Sequence, residues 1–377
     1  MKITIVCDVL GEANNGTTLA TLNLINYLTE KGHDVTVVSP DKSTKNKKNY
    51  YVVPTLNLGK FLNRVLERNG VQLAKADDEL VKAAIKDADV VHVQVPLLLG
   101  VSAVRLALEM DKPITASFHC QAENVTAHLG LMNFTPANNL AYKIFYKNVF
   151  RHCDAVHYPT QFIKETFESH TAPTNAFVIS NGVNDVFFTK GEAIKKDKFT
   201  IVCTGRYSKE KAQYQLIKAV AKSAHKSDIK IVLAGDGPFK ARLRRLADKL
   251  GVDCDMQFFS REDLLKTLRG ADLYVHTALI EIEAIACLEA IACGLVPVIC
   301  NSPRSATRFF AINELNLFAP KDLNELSMLI DFWYENPDLK SEYAERYASK
   351  KNEYSQRACM AQMEEMLLSA IENHKKK

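Results

Sequence analysis

Short runs of consecutive apolar residues alternate with longer segments whose apolar positions recur every three or four residues, almost from one end of the chain to the other. In the first half the strand-like runs are 3–7, 35–38, 90–95, 114–118, 155–158 and 176–179. Among the segments between them, 17–31 sets Leu19, Leu22, Ile25 and Leu28 on one stripe and is followed by Gly32, a helix with its stop signal. The pattern restarts at Phe199, with strand-like runs at 199–203, 229–233, 256–258, 273–275 and 296–299. Short apolar strands alternating with amphipathic helices predict parallel sheets covered on both faces.

The polar stretch 184–198 separates the two halves, and 377 residues exceed what one ordinary core holds. The expected fold is therefore α/β, with two Rossmann-like domains facing across a cleft, the default place for a ligand. Their expected extents are 1–185 and 196–355. A closing helix at 356–377 is expected to pack back on the first domain, with a solvated tail from Lys375 to Lys377.

Composition narrows the class. Nine cysteines lie scattered with no Cys-x-x-Cys pair, which argues for a reducing cytoplasm and against a disulfide framework or zinc site. The first residues read as a strand, without a signal-peptide h-region, and no apolar run reaches the length of a membrane span. A net charge of +4 is too mild to argue for nucleic acid.

The chemistry gathers in loops that follow strands. After the first strand comes Asp8-Val-Leu-Gly-Glu-Ala-Asn-Asn-Gly16, which lacks the Gly-x-Gly-x-x-Gly of dinucleotide binders. Gly16 before a helix lets a ligand approach backbone N–H groups, and an ordinary turn and cap explains it equally well. After the strand at 199–203, Arg206, Lys209 and Lys211 set three cations ahead of a helix, where a fork and point charges can hold a diphosphate. Gly235-Asp-Gly-Pro238 follows the next strand and reads as a tight turn.

His119 ends the strand at 114–118, where active sites of parallel sheets form; His33, His92, His152 and His157 read as structural. Glu281 and Glu289 stand eight positions apart between strand-like runs. A helix over 283–293 would put Glu281 at its N-terminal mouth, where outward N–H groups and carboxylates suit a hydroxyl-rich ligand. The triplets Asp87-Ala-Asp89 and Asp253-Cys-Asp255 read as polar strand edges rather than metal ligands. Neither a Walker loop nor a Gly-x-Ser-x-Gly elbow is present.

Together these loops resemble the retaining nucleotide-sugar glycosyltransferases of the two-Rossmann GT-B type, family four. The likeness covers nearly the whole chain and is strongest at Glu-x7-Glu, continued as Glu289-Ala-Ile-Ala-Cys-Gly-Leu-Val-Pro297. It implies that Arg206 and Lys211, helped by the Gly16 loop, neutralise the donor diphosphate in place of a metal, so that no cofactor is needed. It implies Glu281 at the donor sugar, Glu289 at the ribose hydroxyls, and His119 near the reacting centre. One departure stands out: the family's Gly-Phe-Gly after the first glutamate is Ile282-Glu283-Ala284 here, which makes Glu283 a rival of Glu281.

The expected donor is a UDP-sugar, with glucose the first choice. The sequence looks somewhat like diacylglycerol glucosyltransferases over 117–124 and 281–308, which makes diacylglycerol the leading acceptor, ahead of a polysaccharide or soluble one. Basic amphipathic segments at 58–68 and 142–150 suit an anionic membrane surface, although packing on the core is the commoner fate of such helices. That gives a cytoplasmic protein, peripheral on the inner face of the cell membrane. Rival readings are a nucleotide-sugar 2-epimerase and a binding protein that has lost catalysis.

Overall fold

The computed structural model describes residues 1–377 except 11–15, 58, 60–72, 128–132, 195–196 and 377. It divides into two compact units: Met1–Asn181 with Cys359–Lys377, and Gly182–Ala358. The boundary falls before the polar stretch 184–198, because Phe187 in that stretch is buried in the second unit's core.

The first unit is built on a seven-stranded parallel sheet of β1 (Lys2–Val6), β2 (Asp34–Ser39), β3 (Tyr50–Val52), β4 (Val90–Val93), β5 (Ile114–Ser117), β6 (Ala155–Tyr158) and β7 (Ala176–Val178). Its order is β3-β2-β1-β4-β5-β6-β7. The apolar runs mark every strand except β3, a short, half-buried edge strand.

Helix Gly16–Glu30 lays Leu24, Ile25, Tyr27 and Leu28 against β1 and β2, and Gly32 at φ 82° ends it. The closing helix Gln356–His374 buries Cys359, Met360, Met363, Met366 and Leu367 in the same cluster. Polar contacts reinforce that packing: Glu364 accepts from Tyr27 Oη at 3.1 Å and from His33 Nε2 at 2.7 Å, and His374 Nδ1 lies 3.2 Å from Asp154 Oδ2. Helix Leu98–Glu109 has no side-chain cap of its own. Instead the buried Asp8, just past β1, accepts from the amides of Leu99 (2.7 Å) and Gly100 (3.0 Å). A Cβ on Gly100 would run into the carbonyl oxygen of Val95, so glycine is required there.

The second unit's parallel sheet contains β8 (Phe199–Thr204), β9 (Ile229–Ala234), β10 (Cys254–Gln257), β11 (Leu273–His276), β12 (Pro297–Cys300) and β13 (Leu317–Phe318), in the order β10-β9-β8-β11-β12-β13. The two-residue β13 leaves too little pattern to be read from sequence. In each sheet the strand order reverses at one place, between β1 and β4 and between β8 and β11. Chains leaving adjacent strands there turn to opposite faces, which opens a crevice at the carboxyl ends.

Candidate active site

In the second unit the crevice lies between the loop after β8 and the loop after β11. Gly205, at φ 135°, turns the chain out of β8 in a conformation that favours glycine. The Gly235-Asp-Gly-Pro238 turn then braces this loop from below. The amide of Tyr207 donates to Asp236 O at 2.9 Å, and that of Phe239 to Tyr207 O at 3.0 Å. A Cβ on Gly235 would meet the carbonyl of Gly205, so the two loops pack at glycine distance. From the other side Gln213 Nε2 donates to Arg206 O at 2.8 Å, and Thr277 Oγ1 to Lys211 O at 2.7 Å. Arg206 and Lys211 thus stand on a loop held at both ends.

Lys211 reaches Glu281, with which it forms an ion pair; their side chains keep 25% and 12% of their accessible surface. Glu281 is fixed through its backbone, since its carbonyl accepts from the amide of Ala306 at 2.9 Å. Its Oε1 also accepts from His276 Nε2 at 3.1 Å. Burial alone would raise the Glu281 carboxyl, but the Lys211 charge and the His276 hydrogen bond outweigh it, holding it down at about 2. The rival Glu283 is buried at 3% exposure, one step from the helix Ile285–Ala292.

Glu289 lies inside that helix, and its Oε1 accepts from Arg261 Nη2 at 2.7 Å. Burial pushes its carboxyl up, opposed by the Arg261 charge. The Arg261 guanidinium also sits over the Phe187 ring, 4.9 Å from its centroid. Sequence reading missed Arg261, which looks like an ordinary first residue of the helix Arg261–Arg269.

In the first unit His119 lies just beyond β5, 9% exposed. Its ring makes an edge contact with His157, with centroids 5.6 Å apart. Burial, with His157 and His92 nearby, holds His119 well below 6.5, so it is neutral. Beneath it runs a buried chain of hydrogen bonds across β4, β5 and β6. His157 Nε2 donates to Ile179 O at 2.7 Å, which leaves Nδ1 of the neutral ring to accept from Ser117 Oγ at 2.9 Å. Ser117 Oγ in turn accepts from His92 Nε2 at 3.0 Å, and His92 Nδ1 accepts from Thr115 Oγ1 at 2.9 Å. One carbonyl therefore sets every tautomer in the row.

Gly16 is the first residue of its helix. A Cβ there would meet nothing within 4 Å, so packing does not impose the glycine. The loop before it, like the basic segment 58–68 apart from Gly59, lies outside the described residues. Asp253 and Asp255 pair with Lys230 at 3.6 and 3.0 Å, and Asp89 accepts from the amide of Lys2, which makes both triplets strand-edge features.

Residues 14–187 match the family model for Glycosyltransferase Family 4, and residues 187–351 that for Glycosyl transferases group 1. The alpha-monoglucosyldiacylglycerol synthase of Streptococcus pneumoniae is 21% identical over 80% of this chain and 71% of its own length. Among solved structures, Anabaena Alr3699/HepE in complex with UDP and glucose superposes with a TM-score of 0.77 at 19% identity, covering 98% of this chain and 100% of that one. The catalytic domain of cholesterol-alpha-glucosyltransferase from Helicobacter pylori is 48% identical over 42% of this chain and 99% of that domain, with a TM-score of 0.41.

Proposed function

The chain belongs to the family-four glycosyltransferases of GT-B fold, and from that premise we propose that it transfers glucose from UDP-glucose to the hydroxyl of a membrane lipid, with retention at the anomeric carbon. The observation that carries this reading is the meeting of Lys211 and Glu281 at the β8–β11 crevice, on a loop that also bears Arg206. Arg206 and Lys211 take the donor diphosphate, Glu281 the sugar hydroxyls, and Glu289 the ribose hydroxyls. The amides behind Gly16 add donors to the phosphate. His119, neutral, serves as a hydrogen-bonding group at the sugar rather than as a cation. These cations do the work that a metal does elsewhere, so none is called for.

In the reaction the bond from the anomeric carbon to the diphosphate oxygen breaks as the acceptor oxygen bonds the same face. The acceptor's proton passes to the leaving phosphate oxygen, and the transition state has oxocarbenium character.

A lipid acceptor is supported by the name of the pneumococcal relative, a synthase of a glucosyldiacylglycerol. It is also supported by the helix Thr135–Asn148. One side of this helix buries Tyr142 and Phe145, whereas Leu140 (59%) and Ile144 (46%) are exposed beside the exposed Lys143 and Lys147. Apolar side chains flanked by lysines suit an anionic membrane surface, which supports a peripheral position on the inner face of the cell membrane. No helix among the described residues is long and apolar enough to cross a membrane.

The test is UDP release from UDP-glucose in mixed micelles carrying diacylglycerol, a sterol, or no lipid, and with a soluble sugar acceptor. Release that needs a lipid, with an α-linked product by NMR, supports the reading, and the lipid that works names the acceptor. Release with the soluble acceptor alone moves the acceptor into water. Binding of UDP-glucose without turnover under any condition would make this a nucleotide-sugar-binding protein.

A further inference from the structure

Glu281 receives two donors on one oxygen, and they differ in kind. Lys211 is an ammonium on a flexible stem, rising from the loop after β8. His276 is the last residue of β11, buried at 2% exposure and fixed by the sheet. Its Nε2 lies 3.1 Å from Glu281 Oε1, and its Nδ1 lies 3.2 Å from Tyr274 Oη. Tyr274 Oη lies 2.7 Å from Thr204 Oγ1, at the end of the neighbouring strand β8.

An ionised carboxylate only accepts, so His276 Nε2 must carry a hydrogen. In the neutral ring Nδ1 is then a lone pair, which accepts from the Tyr274 hydroxyl, whose oxygen accepts from Thr204. Glu281 thus stands at the end of a buried chain anchored in two parallel strands, while its other oxygen, Oε2, takes no hydrogen bond from any described residue.

Within the proposed transfer Lys211 has two claimants, Glu281 and the donor diphosphate. We propose that His276 is the positioning residue of this site: it holds Glu281 ionised and aimed at the sugar when Lys211 turns its charge to the diphosphate. The inference rests on the glycosyltransferase reading. It explains why one carboxylate oxygen takes both protein donors, leaving Oε2 for a sugar hydroxyl. Among the described residues, the ionisable groups facing Glu281 are Lys211 from the β8 loop, Cys203 on β8, Tyr274 and His276 on β11, and Cys287 on the helix Ile285–Ala292.

Three variants test it in the full-length protein. His276→Phe removes the donor and is expected to lower kcat about ten- to a hundredfold, the worth of one hydrogen bond to a charged group. KM for UDP-glucose and the Kd for UDP should stay within about threefold. The acid limb of kcat should move to higher pH, because the lost hydrogen bond lowered the Glu281 carboxyl. His276→Gln, which can offer an amide N–H near the Nε2 position, should recover most of the rate. Tyr274→Phe keeps the packing and removes only the hydroxyl that supports Nδ1, so it should lose severalfold in kcat even if His276→Phe does not fold.

Unchanged kcat in Tyr274→Phe and His276→Phe, or a loss that appears wholly as weaker UDP binding, would overturn the proposal. Imidazole nitrogen NMR of the unliganded wild type supplies an arm that needs no turnover. A hydrogen on Nε2 is the expected state, and protonation at Nδ1 alone would sink the inference. If that tautomer is found while no UDP-sugar is turned over, the transfer reading has failed and the chain beneath Glu281 stands.

Discussion

The carboxyl ends of the two sheets are furnished in opposite ways. In the second unit they carry ion pairs, Lys211 with Glu281 and Arg261 with Glu289. In the first unit the row from Thr115 through His92 and Ser117 to His157 is buried and neutral, and His119 beyond it is held neutral too. The same topology thus presents charge in one half and hydroxyls and imidazoles in the other. A nucleotide diphosphate needs compensating cations, whereas an acceptor hydroxyl needs only neutral hydrogen-bonding partners. This difference is what a transferase of sugar from a charged donor to an uncharged alcohol would require.

The sharpest way to break that comparison is to remove one member from each half. Glu281→Gln keeps the shape and removes the charge, so Lys211 loses its ion-pair partner and, in the proposed reading, the sugar loses a carboxylate acceptor. Turnover should fall about a thousandfold, the upper range for loss of one preorganised electrostatic contact. His119→Ala should cost about a hundredfold, since it removes a neutral group. UDP release under saturating donor measures both. If the two variants are equally mild, the assignment of charge chemistry to the second unit is wrong.

Acid should separate the halves as well. Burial holds His92 at about 3 and His157 at about 4, with His119 also well below 6.5. Their unfolded forms bind protons near pH 6.5 and their folded forms do not, so the stability they contribute is complete above that pH and drains away as pH falls toward 4. Asp8 works the other way. Burial lifts it to about 7, so the folded chain takes up one proton that the unfolded chain binds only near 3.8. Three imidazoles against one carboxyl leave a net two protons, on the order of 2 to 3 kcal/mol lost per pH unit between 6 and 5.

In the second unit Glu281, held at about 2, stays ionised over that range and loses its contribution only below about 4.5. The raised Glu289 adds a proton-binding group of opposite sign. Hydrogen exchange at pH 7 and pH 5 should therefore show amides of β4, β5 and β6 loosening before those of β8 and β11. Loosening in the reverse order would show that the neutral row does not control the first unit's acid stability.

Much of this contrast is legible in the sequence, for physical reasons. A strand buried on both faces must be an apolar run, so eleven of the thirteen strands among the described residues announce themselves; β3 and β13 are edges of two or three residues with little to bury. The Glu281–Glu289 spacing is legible because both lie on one strand-to-helix segment. Arg261 and the Thr204–Tyr274–His276 chain are not, because their partners are brought together by the sheet rather than by the sequence. The available signal was His276 itself, a histidine ending a strand in the same manner as His119.

The smallest effect concerns Ala284, at the place where the family pattern has its second glycine. The structure keeps the backbone shape that glycine would serve: Ala284 caps the helix Ile285–Ala292 at φ 67°, ψ 65°, a left-handed conformation that a Cβ disfavours. Ala284→Gly removes roughly 1 to 2 kcal/mol of strain. The freer unfolded chain takes back about 0.4 to 1 kcal/mol of it. The net expectation is a gain of about 0.5 to 1 kcal/mol in denaturant unfolding, with kcat unchanged because neither Glu281 nor Glu289 moves. A gain in stability accompanied by a fall in kcat would give the strain a purpose: holding the first turn of the helix, and Glu283 beside it, in the position that turnover needs. It would also place part of the second unit's specificity in backbone geometry, where the first unit's neutral row has no counterpart.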